Sequence, residues 1–308
     1  MITRMSSHTH LTDPHAMLAL LFLRANPDAS IAYVAPQANE PTIIAHSHSC
    51  TRRTHAHTFK DGTTFNIKWV TDSQPKIQIA DPLHLQSQSP FQACQNAPVK
   101  LGCQIQPYKK NWVGTAGAPI KFVDPVGKTH WGFITNAHVS GTPTSKTEAQ
   151  IHQPTDARPP IGTTITYAYP APNLTNTLDV ALIDSKIDGH HKSAWEILPN
   201  ITPSTQWTNA SPKARVQKSG RSTGLTEAEC SATGVAARIN YGNAIYTFAD
   251  LDLFEAPTPF SQPGDSGSLI LLKESLMPVS LLFAGSTRST LGIPIRNIAK
   301  QFKISFKP

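Results

Sequence analysis

Short apolar runs separated by turn residues follow one another along most of this chain. From residue 101 onward they are four to eight residues long, and they lie at 117–123, 132–135, 162–167, 179–183, 215–218, 245–248, 268–272 and 279–283. Runs of this length and spacing predict an all-β sandwich or barrel. The 26 prolines and 17 glycines favour the same interpretation, because both residues interrupt helices and form turns. Only 295–302 has apolar residues at helical spacing, which predicts a C-terminal helix.

The first 95 residues have a different pattern. Asp13 and Pro14 precede the apolar run 16–23, and this order is typical of a helix cap followed by proline in the first turn. We therefore predict a helix near 14–25. Strand-like stretches follow at 31–35, 63–70 and 76–79.

The polar segment 81–98, with scattered proline and serine, marks a candidate boundary between structural units. We therefore divide the chain into a small α+β region at 1–95 and two β units at 96–205 and 206–308. The role expected for 1–95 is regulation, or recruitment of a partner protein.

The net charge of +7 raises the question of an acidic partner. Lysine and arginine are scattered and form no basic run, so nucleic acid is not the expected partner. No apolar run approaches the roughly 18–20 residues of a membrane helix, so no membrane partner is expected either. The run 16–23 is the one candidate for a signal peptide, with Ala32 as a conceivable cleavage position, but Arg24 and Asp28 intervene. We favour the helix cap and expect a cytoplasmic location, with export as the alternative.

The four cysteines are too few and too irregularly spaced for a disulfide scaffold. No C-x-x-C pair is present, so a zinc site built of cysteines has no support. A bridge between Cys94 and Cys103 is one option, but four cysteines allow three pairings and the sequence leaves all three open.

Seven of the 13 histidines lie before residue 60. The spacings His46-x-His48-x-Cys50 and His55-x-His57 would put metal ligands on one face of a strand. A polar strand face or a loop explains the same residues, and we favour that interpretation. We expect no metal and no cofactor.

The segment Gly264-Asp265-Ser266-Gly267-Ser268 carries the strongest chemical signal. A serine hydroxyl is a poor nucleophile unless a base takes its proton and nearby donors receive an oxyanion. Glycines on both sides let the chain turn sharply, so the amides of Gly264 and Ser266 could converge on one oxygen. Taken alone, the same five residues are also typical of an ordinary turn.

Two further residues complete a candidate catalytic set. His138, in TNAHV, directly follows the apolar run 131–134, and Asp179 opens the apolar run LDVALI. Taken singly, the histidine could be a satisfied core residue and the aspartate a strand-edge residue at a turn. Burial of an unpaired carboxylate is costly, and a histidine ring N–H facing Asp179 would remove that cost.

The segments TNAHV, LDVALI and QPGDSGSLI resemble the three active-site motifs of the trypsin-like (chymotrypsin-superfamily) serine peptidases. The chain order His138, Asp179, Ser266 is also that of this family, and not that of subtilisin or the α/β-hydrolases. In addition, 111–117 resembles the strand before the histidine strand, and 218–226 resembles the opening strand of the second barrel in bacterial and phage-type members. The resemblance covers about 101–308.

The resemblance implies a mainly β fold of two antiparallel six-stranded Greek-key β-barrels with a C-terminal helix. The small α+β region before them stays outside the resemblance. His138 and Asp179 would lie in the first barrel and Ser266 in the second, with the site in the cleft between them. The chain would be a serine endopeptidase that acts on proteins or peptides through an acyl-enzyme. The alternative is a catalytically silent trypsin-like fold that serves as a protein-binding module.

Carried over residue by residue, the resemblance makes Ser266 the nucleophile, His138 the base and Asp179 its orienting partner. The backbone N–H groups of Gly264 and Ser266 would form the oxyanion hole. Substrate contacts are expected from five residues, namely Phe260, Ser261, Ala284, Gly285 and Ser286.

The chain departs from the digestive enzymes of this family at two places. No acidic residue stands at the base of the expected pocket, and Phe260 there argues against an Arg or Lys preference and for a small or apolar side chain. No Ile-Val-Gly-Gly sequence precedes the first barrel. Asp265 is therefore expected to hydrogen-bond locally and hold its loop, rather than pair with a newly cleaved N-terminus.

Overall fold

The computed structural model of the chain describes residues 2–8, 10–35, 40–49, 55–78, 80, 100–185, 197 and 200–306. Within these ranges the chain forms mainly short strands. The strands are Thr3–Arg4 (β1), Ile31–Val34 (β2), Thr42–Ser47 (β3), Ala56–Thr58 (β4), Thr64–Thr71 (β5), Lys76–Ile77 (β6), Gln104–Pro107 (β7), Gly114–Thr115 (β8), Pro119–Val123 (β9), Thr129–Thr135 (β10), Gln150–His152 (β11), Pro160–Ala168 (β12), Thr175–Asn176 (β13), Val180–Ser185 (β14), Arg215–Gly220 (β15), Gly224–Asn240 (β16), Ile245–Glu255 (β17), Leu269–Leu272 (β18), Pro278–Gly285 (β19), Ser289–Pro294 (β20) and Lys303–Phe306 (β21). The helices are Pro14–Ala25 (α1), Ala137–Ser140 (α2) and Ile295–Gln301 (α3).

The first β unit closes into a barrel. Its strands pair in the order β9-β10-β14-β12-β11-β7-β8. The chain between β8 and β9 closes the ring, because Gly117 N donates to Ile134 O (2.9 Å) and Ile134 N donates to Ala118 O (3.0 Å). Gly132 lies where β10 crosses β14, and a side chain there would collide with the backbone of Ile183. Glycine is therefore required for this close pairing.

The second β unit closes more regularly. β15 pairs with both β16 and β18, β17 pairs with both β16 and β20, and β19 joins β18 to β20. Large apolar side chains such as Phe248, Leu253 and Leu281 are fully buried inside it. The two-barrel architecture and the C-terminal helix expected from the sequence are thus confirmed, and β21 continues past that helix to pair with β9 of the first barrel.

The region before residue 80 continues the sheet of the second barrel. β16 is long enough to project beyond the barrel, where Ala236 pairs with Ala32 of β2, and the sheet then runs β2-β3-β5-β4. Helix α1 packs on this extension and buries Phe22 and Leu23 completely. The predicted helix is confirmed, and its N-terminus is capped by Asp13, whose Oδ1 accepts from the amide of residue 15 at 2.8 Å.

The predicted strands at 31–35, 63–70 and 76–79 correspond to β2, β5 and β6, although residue 79 lies outside the described residues. Strands β3 and β4 were not predicted. The boundary segment 81–98 also lies outside the described residues, and the division at 95 and at 205 remains a prediction.

Two cysteines lie in the described part of the chain. Cys103 is disulfide-bonded, and Cys230 is a buried free thiol whose pKa is raised by burial. Cys50 and Cys94 are outside the described residues, so the pairing stays open. A helix both long and apolar enough for a membrane span is not found among the described residues.

Candidate active site

His138 and Asp179 are brought together by the pairing of β10 with β14. Thr135, the last residue of β10, pairs with Ala181. This register sets the residues just before Ala181 beside the short helix α2, which contains His138. The side-chain Nδ2 of Asn136 donates to the backbone carbonyl of Asp179 (2.9 Å) and ties the two chain segments together at that point.

The carboxylate of Asp179 is fully buried and uses both oxygens. His138 Nδ1–H donates to Oδ2 at 2.5 Å, and the backbone N–H of His138 donates to Oδ1 at 3.0 Å. These bonds fix both the position and the rotation of the imidazole, so Nε2 is the ring nitrogen left for chemistry. The two residues meet as the sequence predicted, while their catalytic roles remain predictions.

A third donor to Asp179 was not foreseen from the sequence. The hydroxyl of Tyr241 donates to Oδ2 at 2.6 Å, and its ring meets the His138 ring edge-on at 5.8 Å between centroids. Burial, followed by the charge of Asp179, raises the pKa of Tyr241 well above its usual value. Tyr241 belongs to the second barrel, in the turn between β16 and β17. No local motif marks it, because its partner lies 62 positions earlier in the chain.

Ser266 lies in a tight loop between β17 and β18. Gly264 and Gly267 both have positive φ, 103° and 99°, which favours glycine at each position. Asp265 holds the loop from inside, since Oδ1 accepts from the amides of Ser222 (2.7 Å) and Thr223 (3.2 Å).

A buried ion pair also stabilises this loop. Lys218 Nζ lies 3.3 Å from Asp265 Oδ2, and both side chains are fully buried. Burial lowers the pKa of Lys218, and the carboxylate of Asp265 opposes that shift. Asp265 therefore bonds locally, as expected from the absence of an activating N-terminal sequence.

The Ser266 loop contacts the first barrel beside the histidine. Thr115 N donates to the carbonyl oxygen of Ser266 at 2.8 Å, and a side chain at Gly114 would collide with both Val139 and that carbonyl. The Ser266 hydroxyl donates to Phe283 O at 2.9 Å. Among the described residues no hydrogen-bond partner is found for His138 Nε2, so Ser266 and His138 are not hydrogen-bonded to each other.

The amides predicted to form an oxyanion hole both point at one oxygen. Gly264 N donates to Gln78 O at 2.7 Å, and Ser266 N donates to the same oxygen at 3.1 Å. The backbone N–H of Gln78 in turn donates to Ser266 Oγ at 3.1 Å. The two donors converge as expected, but their occupant comes from the N-terminal region and was not predicted.

The strand expected to bind substrate backbone is β19. Its residues Ala284 and Gly285 pair antiparallel with Ile77 and Lys76 of β6. The next residue, Ser286, donates its hydroxyl to Asp72 Oδ2 at 2.7 Å. The N-terminal region therefore contacts all three predicted residues, two in β19 and one directly after it.

Phe260 and Ser261 line a cavity of about 600 Å³ beside this strand. Phe260 is buried and packs against Phe254, with Lys218 Nζ 5.8 Å from its ring centre. Ser261 Oγ and Thr290 Oγ1 are hydrogen-bonded at 2.6 Å. The two residues line this cavity, while their contact with substrate and the preference for a small or apolar side chain stay predictions.

Two of the N-terminal histidines, His46 and His57, contact protein side chains. His46 Nδ1–H donates to Asp72 Oδ2 at 3.2 Å, and the ring of His57 packs edge-on against Phe22 and Phe59. In the part of the chain that the structure describes, no three metal-ligating side chains come together. Cys50 lies outside that part.

Comparison with solved structures gives matches to bacterial serine proteases. A glutamic-acid-specific serine protease is 17% identical (TM-score 0.47) and matches 68% of this chain and 100% of its own. Protease A of Thermobifida fusca is 18% identical (TM-score 0.46), with 66% of this chain and 97% of its own covered. The chymotrypsin of Cellulomonas bogoriensis is 16% identical (TM-score 0.44), with 68% of this chain and 98% of its own covered.

No protein-family model matches the chain, and no curated protein matches its sequence. At these identities and TM-scores the matches transfer no residue roles to this chain. Within the described residues, the strand order by itself gives the architecture, which is two rings of antiparallel strands. The chain has a mainly β fold of two antiparallel barrels, and its architecture is that expected from the sequence.

Proposed function

We propose that this chain is a serine endopeptidase that hydrolyses peptide bonds through an acyl-enzyme. One observation carries the proposal, namely that the amides of Gly264 and Ser266 converge on a single peptide carbonyl oxygen next to the Ser266 hydroxyl. In acyl transfer that oxygen gains negative charge in the transition state. Preorganised N–H donors at that position stabilise the charge without reorganising.

The buried His138–Asp179 pair supports the same chemistry. With Nδ1–H bonded to Asp179, the Nε2 lone pair of His138 is free to take the proton of Ser266. The imidazolium formed in that step is stabilised by the adjacent carboxylate. Nε2 then returns the proton to the leaving amine.

The proposed substrate is an extended protein or peptide segment. β19 offers backbone groups for antiparallel pairing, and β6 uses them in this way. Main-chain pairing of this kind supplies affinity, while pockets for single side chains supply selectivity.

Labelling with a fluorophosphonate probe tests the proposal. The wild type is expected to be modified at Ser266 whenever residues 76–78 leave the site, and Ser266→Ala is expected to remain unmodified. The exposed Ser275→Ala is the matched control and should label like the wild type. Peptide mapping identifies the modified serine. A wild type that is never labelled, and that does not hydrolyse a denatured protein, would contradict the proposal.

A catalytically silent binding module is the second candidate, and one observation favours it. The Ser266 hydroxyl donates to Phe283 O instead of to His138, which is an unproductive arrangement. A silent module would bind peptides in the cleft with Ser266 unreactive toward the probe, so the same labelling experiment separates the two candidates.

A further inference from the structure

We propose that the chain cuts itself on the carboxyl side of Gln78, in an intramolecular reaction in which its own residues 76–80 are the substrate. The proposal rests on the serine endopeptidase function proposed above. It assigns a cleavage site, and it assigns glutamine as the residue accepted before the scissile bond, in place of the small or apolar side chain expected from the sequence. Contacts on both sides of the Gln78 carbonyl support it.

On the amino side of that carbonyl, the segment is bound as an added strand. Ile77 pairs with Ala284 and Lys76 with Gly285 in antiparallel register. The backbone N–H of Gln78 then donates to Phe283 O at 3.2 Å. Backbone pairing therefore continues up to the residue whose carbonyl carbon Ser266 would attack.

On the carboxyl side, the segment is held by the first barrel. Ala80 N donates to Val113 O at 3.2 Å, and Val113 N donates to Ala80 O at 2.9 Å. The peptide is thus held across the cleft, by the second barrel before Gln78 and by the first barrel after it.

The Gln78 side chain occupies an enclosed position. The residue is only 4% exposed, and a side chain at Gly285 would collide with its terminal amide. Glycine at 285 therefore leaves room for this side chain. A neutral amide can be buried here at lower cost than a charged group of similar length.

The segment before β6 is tied to the rim of the groove. Asp72 accepts hydrogen bonds from the hydroxyls of Ser286 (2.7 Å), Thr287 (3.1 Å) and Ser289 (2.9 Å). Asn240 N donates to Pro75 O at 2.9 Å. A peptide held in this way reaches Ser266 at a high effective concentration, which favours reaction within one molecule.

The reaction balances with water as the only other reactant. Ser266 Oγ bonds to the Gln78 carbonyl carbon while its proton passes to His138 Nε2. The carbon–nitrogen bond to residue 79 then breaks, and the departing amine takes that proton. Water attacks the ester with His138 as base, which yields the Gln78 carboxylate and restores the Ser266 hydroxyl. The hydroxyl must first turn from Phe283 O toward His138.

Cleavage would leave both pieces in one particle. The piece ending at Gln78 contains α1 and β2–β5, and β2 remains paired with β16 in the other piece. A nick would therefore be visible only under denaturing conditions. Reducing conditions are included as well, because Cys103 is disulfide-bonded and a bridge to Cys50 would hold the two pieces together.

The experiment follows purified full-length protein over time by reducing, denaturing gel and intact-mass analysis. We expect the wild type to yield one fragment ending at Gln78 and one beginning at residue 79, at a rate unchanged by tenfold dilution. Ser266→Ala should stay intact. Gln78→Lys should be cut at least about tenfold more slowly, because it buries an ammonium group where a neutral amide fits. The exposed Gln206→Lys is its matched control and should be cut like the wild type.

Fluorophosphonate labelling of the same samples, and of Asp72→Asn to loosen the segment, separates this proposal from the proposed function. A wild type that stays intact while Ser266 is labelled in either protein overturns self-cleavage and leaves the peptidase function standing. Absence of both cleavage and labelling counts against both proposals. Cleavage at another bond, or at a rate proportional to protein concentration, also overturns the assignment.

Discussion

At the scale of single residues, the candidate site depends on how Asp179 is satisfied. Its two oxygens receive three hydrogen bonds, from the His138 ring, the His138 backbone and the Tyr241 hydroxyl. A fully buried carboxylate without such donors would be destabilising by several kcal/mol. The same bonds orient the imidazole, so folding stability and the proposed chemistry depend on the same atoms.

Tyr241→Phe tests the contribution of the second barrel to this arrangement. The change removes one donor to a buried charge and keeps the ring, so we expect a loss of about 1–3 kcal/mol in the free energy of unfolding. We also expect kcat/KM to fall several-fold, since the Asp179 carboxylate is held less firmly. Urea denaturation and peptide hydrolysis measure the two effects.

Tyr246→Phe is the matched control for this experiment. Its ring lies 4.8 Å from that of Tyr241, so the two changes perturb the same cluster of aromatic rings. Equal effects of the two substitutions would mean that the hydroxyl bond to Asp179 contributes nothing of its own.

At the scale of elements, the contact between the 72–78 segment and the loop after β19 determines access to the cleft. Asp72 lies at the centre of this contact. Burial would raise the pKa of Asp72, but hydrogen bonds from His46, Ser286 and Ser289 outweigh burial and lower the pKa to about 2. The docked segment therefore favours the charged form of this carboxylate.

This shift predicts a pH dependence of stability. A carboxyl group whose pKa is lowered by folding stabilises the fold at pH values above its usual pKa of about 4, and that contribution is lost as the pH falls toward 2. We expect Asp72→Asn to be less stable than the wild type by about 2 kcal/mol at neutral pH, with the difference shrinking between about pH 4 and pH 2. Urea denaturation at several pH values measures it.

Asp61→Asn is the control for the pH series. Its carboxylate caps an exposed turn and accepts from the amide of Thr63. A stability difference between Asp72→Asn and the wild type that stays constant from pH 5 to pH 2 would contradict the assignment of the lowered pKa to Asp72.

At the scale of the whole molecule, the N-terminal region and the second barrel share one sheet. Arg238 of β16 secures the C-terminal end of α1, because its guanidinium donates to Leu23 O (2.6 Å), Asn26 O (3.1 Å) and Ala29 O. The backbone of β16 also pairs with β2. The Arg238 side chain and strand β16 therefore connect helix α1 and the strand extension to the barrel.

Arg238→Lys tests this connection. Lysine keeps the charge but cannot reach several carbonyls with one planar group. We therefore expect the free energy of unfolding to fall by about 1–3 kcal/mol. Hydrogen exchange should quicken in α1 and β2 and remain unchanged in β18. The control is Arg215→Lys, whose exposed pair with Glu227 contributes little. Uniform quickening across the second barrel would show that Arg238 acts on the barrel itself rather than on the docking of α1.

Much of the architecture follows from local sequence patterns. Short apolar runs predict strands because a strand of four to eight residues is the element that such a run can bury. Asp13 and Pro14 predict the start of α1 for a similarly local reason, since side chain and ring act within one turn. Each of His138, Asp179 and Ser266 lies beside an apolar run that forms a strand. The resemblance carried by these three motifs predicts that the barrels meet where the three residues lie.

The occupied cleft is a property of the tertiary structure alone. The sequence indicated the two converging amides of Gly264 and Ser266, but not the Gln78 carbonyl between them, nor the bond from Tyr241 to Asp179. Each of these contacts joins positions more than 60 residues apart and depends on which surfaces meet after folding. Local periodicity specifies what one segment can form, and only long-range packing selects which segment lies across Ser266.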